Sequence, residues 1–387
     1  MKYFIAGLLV LLLGRPLPAQ DKRLKDPRTD AAIEKGIASL RRASEVKSVE
    51  LLILTFFHAG IRENDADVQR WLKTLLESKP SSTYRVALQA MVLEDLDRVR
   101  YQGRIQQCAQ YLVDTQCKNG QWSYGEAVGS WDVPPERTKA RATASGAAKP
   151  SGERKKPKVV TRVAVRRTRE GPETGDCSNS QYAALGLRAC FEAGIDFPVE
   201  VIDRARKGWA DSQHSDEDKK GAAESRGWGY YGSTFKGSYG AMTAGGLSSV
   251  CIYDHLLGKP WTRDPLVEQA KTWLTVNFSA AEHPQAARGW DGYDGGSFVY
   301  YYLYALERAG MMYGTETFGS HSWYSEGAKY ILDSQNPDGS WKSRARLDDN
   351  GPVADTCFAI LFLRRATAPL KAVASEDRFL RKDEDPK

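Results

Sequence analysis

Residues 335–341 read QNPDGSW, and after a charged stretch the chain enters the apolar run DTCFAILFL at 355–363. The phrase closes a segment in which Tyr324, Ala328, Ile331 and Leu332 share one face of a helix, while the run after it has almost no polar face. Related phrases are NGQW ending at Trp122, RGWGYYG around Trp228 and RGWDGYDG around Trp290. Each follows an amphipathic segment and precedes an apolar one, and Gln116, Gln213 and Gln335 stand at the close of three of the amphipathic segments. Recurrence in one context marks a repeat architecture. Gly beside Asn or Asp suits the turn that leaves a helix, because Gly takes positive φ without a Cβ clash. Trp122, Trp228, Trp290 and Trp341 are then structural, wedged between neighbouring repeats.

Outward from these phrases, two kinds of helix alternate. Val68, Trp71, Leu72 and Leu75, then Ile105, Cys108, Ala109 and Leu112, then Leu266, Ala270, Trp273 and Leu274 follow the spacing of a single buried face. By contrast LLILTFF (51–57), YAALGLRACF (182–191) and FVYYYLYALERAG (298–310) are apolar nearly all round and need protein on every side. Joining each one-faced helix to the enclosed one after it gives six pairs, starting near 30/50, 65/85, 103/178, 199/239, 265/296 and 322/354. The expectation is an all-α fold over 21–368: an α/α toroid of six helix pairs, with an outer ring of one-faced helices around an inner ring of enclosed ones. The first two pairs lack the Trp phrase, as terminal repeats often depart from the pattern.

The unit at 335–341 and the helix after it resemble the QW motif and inner helix of the squalene cyclase and protein prenyltransferase repeat superfamily, over roughly residues 31–366. That resemblance implies a terpenoid cyclase-like α6/α6 toroid built of prenyltransferase/squalene oxidase repeats, and it marks fold more than chemistry. Triterpene cyclases protonate an alkene with the middle Asp of a DxDD motif at an inner-helix start. The matching stretch here is DCSN, with Asp176 on the first position, Ser178 on the middle one and Asn179 on the last. A Ser hydroxyl is far too weak an acid for that step. Prenyltransferases hold Zn²⁺ with an Asp, a Cys two residues on and a His at the next inner helix. This chain offers Asp294, Gly296 and Asp355 in those places, and Asp355 with Cys357 falls short of a zinc ligand set. None of the six Cys sits in the CxEQ-type motif of the thioester domains that share the toroid. The resemblance thus implies a scaffold without its relatives' reactive groups, and no metal or cofactor is expected.

At 387 residues with 41% hydrophobic content the chain can bury a large core. Residues 1–20 carry one Lys, an apolar run at 4–13 and a small residue at Ala19, the layout of a cleavable secretory signal too short to span a bilayer as a helix. Export to the periplasm or the medium is therefore expected, with cleavage near Ala19. Cys190, Cys251 and Cys357 lie within apolar runs, so the thiols are expected to be mostly free and buried. Much of the Lys and Arg excess behind the net charge of +6 sits in an insertion at 132–175. Its first half is expected to be a disordered basic loop, and its second half, VVTRVAVRRTRE, a short strand or hairpin. A further role for the insertion is a salt-sensitive tether to an anionic polymer or lipid surface. Nothing points to a specific nucleic acid. Residues 369–387 form a charged tail.

Polar residues gather where the inner helices begin: Asp176, Ser178 and Asn179, then Tyr239, then Asp294, then Asp355. If the inner helices run parallel, these starts meet at one mouth. Asp, Ser and Asn there also serve as helix caps. Among consecutive tyrosines 300–302, at least one must face the axis, and Tyr301 joins the candidate funnel set Asp176, Asn179, Tyr239, Asp294 and Asp355. Stacked rings with hydroxyls suit a sugar, glycan or peptide, whereas a terpene calls for a Phe and Leu lining. The five His show no ligand spacing, and no nucleophile motif is present. The expected function is a non-catalytic binding or scaffold module for an extracytoplasmic polymer, lipid or protein. The alternative is an enzyme acting on a glycan or terpenoid in the cavity, with carboxylates 176, 294 and 355 as acid and base.

Overall fold

The computed structural model describes residues 27–43, 48–131, 156–215, 225–231, 237–289, 291–344 and 351–371. The expected signal at 1–20, the first half of the basic insertion, Trp290 and most of the tail lie outside the described residues. Among the described residues the chain is all-α, with twelve helices: α1 (Pro27–Arg41), α2 (Val49–His58), α3 (Ala66–Glu77), α4 (Thr83–Asp97), α5 (Gln102–Asp114), α6 (Cys177–Glu192), α7 (Val199–Asp211), α8 (Gly240–Leu256), α9 (Pro265–Val276), α10 (Val299–Tyr313), α11 (Trp323–Asp333) and α12 (Gly351–Leu363). The starts expected near 199 and 265 coincide with α7 and α9, and the widest departures are Pro27 for 30, Val299 for 296 and Gly351 for 354.

Local chemistry accounts for the ends of these helices. Asp65 caps α3 by accepting from the backbone N–H of Asp67 and Val68, and Asp264 caps α9 ahead of Pro265, which needs no N–H at that position. Burial then sorts the helices into two kinds. In α3 the residues that reach the core are Val68, Trp71, Leu72 and Leu75, one stripe in an otherwise wet helix. Every residue of α8 is buried, and its Ser248 and Ser249 hydroxyls return to the Gly245 carbonyl rather than to water. The even-numbered helices pack in the order α2, α4, α6, α8, α10, α12, and α12 packs in turn on α2. The odd-numbered ones lie against them: α3 on α2, α5 on α4 and α6, α7 and α9 on α8, α11 on α10 and α12, and α1 on α12.

The recurring phrase has one geometry. The buried indoles of Trp122, Trp228 and Trp341 each donate 2.8 Å bonds to a carbonyl in the last turn of the preceding odd helix, at Leu112, Trp209 and Ile331. Those carbonyls belong to the last turn, where the helix supplies no i+4 donor of its own; Trp209 O and Ile331 O also accept from Ser212 and Ser334. The backbone N–H of the same Trp donates to a hydroxyl early in the next even helix: Ser180, Thr243 and Thr356, at 2.9, 3.1 and 3.0 Å. Each Trp therefore pins the end of one helix to the beginning of the next. The Gln residues act between repeats. Gln116 donates to Val201 O of α7 (2.8 Å), Gln213 to Leu266 O of α9 (3.0 Å) and Gln335 to Ala32 O of α1 (2.8 Å).

The second half of the insertion is packed onto the helices. Val163–Ala164 pairs in parallel with Ile195–Asp196, so the segment forms a short strand and no hairpin of its own. Three of its cations have local partners: Arg162 bonds Asp196, Arg167 bonds Gln116 Oε1 and Arg169 bonds Glu126. Thr168 donates twice to Asp114 at the end of α5. All six Cys are buried and free. No helix among the described residues is long and apolar enough to cross a membrane.

Candidate functional site

Side chains from four even helices meet in one chain of ring contacts. The Tyr84 ring of α4 lies 4.1 Å from Tyr182 of α6, Tyr182 stacks at 6.5 Å on Tyr301 of α10, and Tyr301 meets Phe358 of α12 at 5.6 Å. Phe358 also stacks on Tyr304, one turn further along α10. Tyr84, Tyr182 and Tyr301 lie in the first two turns of their helices, and Phe358 near the middle of α12. Tyr84 and Tyr301 are half-buried, while Tyr182, Tyr304 and Phe358 are buried. The spacing of Tyr301, Tyr304 and Arg308 puts them on one stripe of α10.

Arg308 lies at the deep end of that stripe and is 0% exposed. Its guanidinium sits 4.3 Å from the Tyr304 centroid and 5.3 Å from that of Tyr182. Nη2 donates to Gln181 Oε1 (2.8 Å), and Gln181 Nε2 donates to Tyr301 Oη (2.7 Å), so a short relay runs from the half-buried tyrosine to the buried cation. Burial pushes the Arg308 pKa down, but Tyr182, Tyr304, Tyr301 and the neighbouring Glu307 together outweigh burial and hold it up, and the group stays charged. Its neighbour Glu307 serves another purpose: it accepts from Thr367 N (3.0 Å) and Thr367 Oγ1 (2.6 Å) in the segment after α12. Burial pushes the Glu307 carboxyl up to about 7 against those bonds.

At the start of α6 lies a second tyrosine group. Tyr124 and Tyr231 are 65% and 43% exposed, more than any other aromatic side chain among the described residues. The Tyr124 and Tyr230 hydroxyls bond each other, Tyr230 meets Tyr231 edge-on at 4.7 Å, and Tyr230 O accepts from Cys177 N at the first turn of α6. Asp176 is the cap of that turn. Its Oδ1 accepts from Asn179 N (2.8 Å) and its Oδ2 from Asn179 Nδ2 (2.9 Å), and burial pushes its carboxyl up to about 6 against those bonds. Asp176 and Tyr301 both act on the titration of Tyr230 and Tyr239, whose phenols burial pushes upward, so these groups share one neighbourhood.

Of the residues expected at the funnel, Asp176, Asn179, Tyr239 and Tyr301 therefore come together, and Asp294 and Asp355 make their bonds elsewhere. Asp294 ion-pairs with Arg344 at 3.0 Å, accepts from Gly296 N, and borders a separate hollow of 390 Å³ with Phe278, Glu282 and His283. Asp355 is not at a helix start: α12 begins at Gly351 and Pro352, four residues earlier, and the Asp355 carboxylate accepts from Ser343 N at 2.7 Å. Pro is suited to the first turn of a helix, which the sequence expectation passed over. Arg308 and Gln181 were missed as site residues. The signal for Arg308 was present: a Glu–Arg pair inside a run that is otherwise apolar.

Among the buried imidazoles, His283 has a structural role. His283 Nε2 accepts from Ala241 N at the start of α8, and its Nδ1 lies 2.9 Å from Ser297 O, the distance of a donated bond, which makes the ring the neutral tautomer. Burial pushes its pKa down to about 4. Among the described residues no group of three His, Cys, Asp or Glu is placed to hold a metal ion. Comparison of the sequence with protein-family models finds no match, and comparison with curated proteins finds no relative.

Proposed function

We propose that this protein is an exported binding module whose twelve helices form a closed α/α toroid of the squalene cyclase and prenyltransferase kind, and that it takes a glycan at the tyrosine-lined mouth of its inner helices. Support for a closed ring comes from the contact order of the even helices, which returns from α12 to α2, and from the bond between Gln335 and Ala32 that joins the last repeat to the first. The observation that carries the function is the gradient of tyrosines, from exposed Tyr124 and Tyr231 through half-buried Tyr84 and Tyr301 to buried Tyr182 and Tyr304. Flat faces with hydroxyls at their edges suit sugar rings, which present C–H faces and O–H edges.

Arg308 weighs against the terpenoid alternative. A cyclase stabilises carbocations, and a guanidinium about 5 Å from a developing cation opposes it by about 3 kcal/mol at an effective dielectric of about 20. A pure hydrocarbon would also leave that buried charge without an acceptor. Hydrolysis of a glycan is disfavoured on other grounds. Both Asp176 oxygens are engaged by Asn179, Asp294 by Arg344 and Asp355 by Ser343, so each candidate carboxylate has a local structural partner.

A glycan array probed with the mature protein, followed by calorimetry on the best ligands, tests the proposal. Tyr124→Ala with Tyr231→Ala should weaken binding about tenfold or more, since stacked aromatics dominate such contacts. The pair also supports buried Tyr230, through the Tyr124 hydroxyl bond and the Tyr231 edge contact, so the double variant should lose about 1–2 kcal/mol of stability while staying folded, which an unfolding midpoint will report. Absence of binding to any glycan, or isoprenoid binding in its place, refutes the reading.

A further inference from the structure

We infer that the hollow beside Asp294 is a second binding site, for a small hydroxylated compound that carries a primary ammonium group, with Glu282 and Gln285 as its partners. It is independent of the tyrosine surface and of what binds there. The hollow measures 390 Å³, within the range of small-molecule sites, and lies in the connection between α9 and α10, residues 277–298. Connections between packed helices usually run to about 2–8 residues, and much longer ones are commonly functional. This one is held from three sides. His283 N donates to Gly295 O (2.6 Å) across its neck, Gly240 N of α8 donates to Pro284 O (2.9 Å), and Tyr302 Oη of α10 donates to Ser279 O (3.1 Å). The walls are thus fixed by bonds within the chain itself. Gln285, on the wall, has φ +57°, and Phe298, where the connection enters α10, has φ +54°; they are two of the three non-glycine residues at positive φ among the described residues. Left-handed backbone is unfavourable for a residue with a Cβ, and such strain gathers where a side chain is held in a set direction for function.

Charge and hydrogen bonding define the ligand. Asp294 is matched by Arg344 at 3.0 Å, and its other oxygen accepts from Gly296 N and Ser297 Oγ. The Glu282 carboxylate has no hydrogen bond or ion pair among the described residues; its backbone N–H alone is engaged, with Ser279 Oγ. That carboxylate lies against the neck of the connection, since a Cβ at Gly295 would stand 3.1 Å from its Oε2. The side-chain amide of Gln285 is likewise without a partner among the described residues, whereas both ring nitrogens of His283 are in use. One unmatched negative charge favours one positive charge and opposes an anion. The Gln285 amide offers a donor and an acceptor to hydroxyl groups. Phe278, stacked on His321 at 4.4 Å, adds an apolar wall for C–H groups. A hexosamine with a free amine combines these features.

The test is titration of the isotope-labelled full chain with glucosamine, N-acetylglucosamine and glucose, followed through backbone amide resonances. Saturable shifts are expected at Ser279, Glu282, Gln285 and Gly295. Glucosamine should bind about threefold or more tighter than its N-acetyl form, as suits a partly exposed ion pair, and added salt should shrink that difference. Glu282→Gln should bind amine and acetamide alike. Gln285→Gly should bind glucosamine more weakly without a lower unfolding midpoint, because glycine relieves the left-handed backbone. No saturable shift at these amides, or equal affinity of amine and acetamide for the wild type, overturns the inference, and neither result needs a variant to fold. Tyr124→Ala with Tyr231→Ala should leave the shifts unchanged. If that double variant abolishes them, the sugar sits on the tyrosine surface, which refutes this second site and leaves the glycan reading standing.

Discussion

Replacing Gln335 by Ala removes one of the side-chain bonds between the last repeat and the first, which also include Arg28–Asp333, Arg42–Asp338 O and Arg364–Asp30. In the folded chain the Gln335 amide nitrogen donates to Ala32 O of α1 at 2.8 Å and to Gly339 O at 3.0 Å. Two such bonds contribute about 0.5–1.5 kcal/mol each, so Gln335→Ala should cost about 1–3 kcal/mol. The equivalent seam inside the repeat array is Gln116, which donates to Val201 O at 2.8 Å and Gly120 O at 3.2 Å and accepts from Arg167. In the proposed closed ring the seam between ends is as strong as an internal one, and Gln335→Ala should approach Gln116→Ala once the extra Arg167 bond is allowed for. In an open array, α1 and α11 are termini, and loosening them leaves the rest folded. Urea unfolding of the mature protein, read by tryptophan fluorescence, gives midpoints and slopes for both variants. Gln335→Glu sharpens the test: it keeps the size but offers no donor to the two carbonyls, so it should lose at least as much as the Ala variant. A Gln335→Ala midpoint equal to wild type, beside a clear loss in Gln116→Ala, refutes closure through this seam.

Two further outcomes follow from the turn and from burial. Gly339 has φ +86° and a Cβ there would overlap the Lys35 carbonyl, whereas Gly314 has φ +90° and open space around it. Gly314→Ala should therefore cost about 1–2 kcal/mol for the backbone alone, and Gly339→Ala about 2–4 kcal/mol because α1 must also move, as unfolding midpoints will report. His283 has its pKa lowered to about 4 from 6.5, so below pH 6.5 the unfolded chain binds the proton that the folded chain excludes. Its contribution is present above pH 6.5 and is lost as pH falls through 4, to a limit of about 3 kcal/mol. Glu307 acts in the opposite sense, since its raised pKa contributes stability below pH 4.5 that is lost as pH rises through about 7. The difference between wild type and His283→Gln isolates the imidazole, and a difference that stays constant from pH 7.5 to 4 rules the assignment out.

Much of the helical order was legible because it is local. Amphipathic stripes such as Val68, Trp71, Leu72 and Leu75 depend on a period of 3.6 residues, and caps such as Asp65 and Asp176 act within one turn, so a short window of sequence contains the cause. The phrase ending at Trp341 was legible as a structural repeat, and its Gln was noticed without its partner. That partner, Ala32, lies 303 residues away, and no local rule names it. The site divides in the same way. Asp176, Asn179, Tyr239 and Tyr301 were expected near helix starts and share a neighbourhood, but Asp294 and Asp355 were placed there on the assumption that every helix starts alike.

Packing alone brought Gln181 to Arg308 across 127 residues of chain and turned Glu307 away toward Thr367. In sequence those two charges look like an adjacent ion pair on an apolar helix. Neighbours on a helix point about 100° apart, so the tertiary arrangement sent one to Gln181 and the tyrosines and the other to the segment beyond α12. The alternation of helices and their buried faces came from short-range periodicity. Which charge stands without a carboxylate partner came from the packing of α4, α6, α10 and α12 against one another.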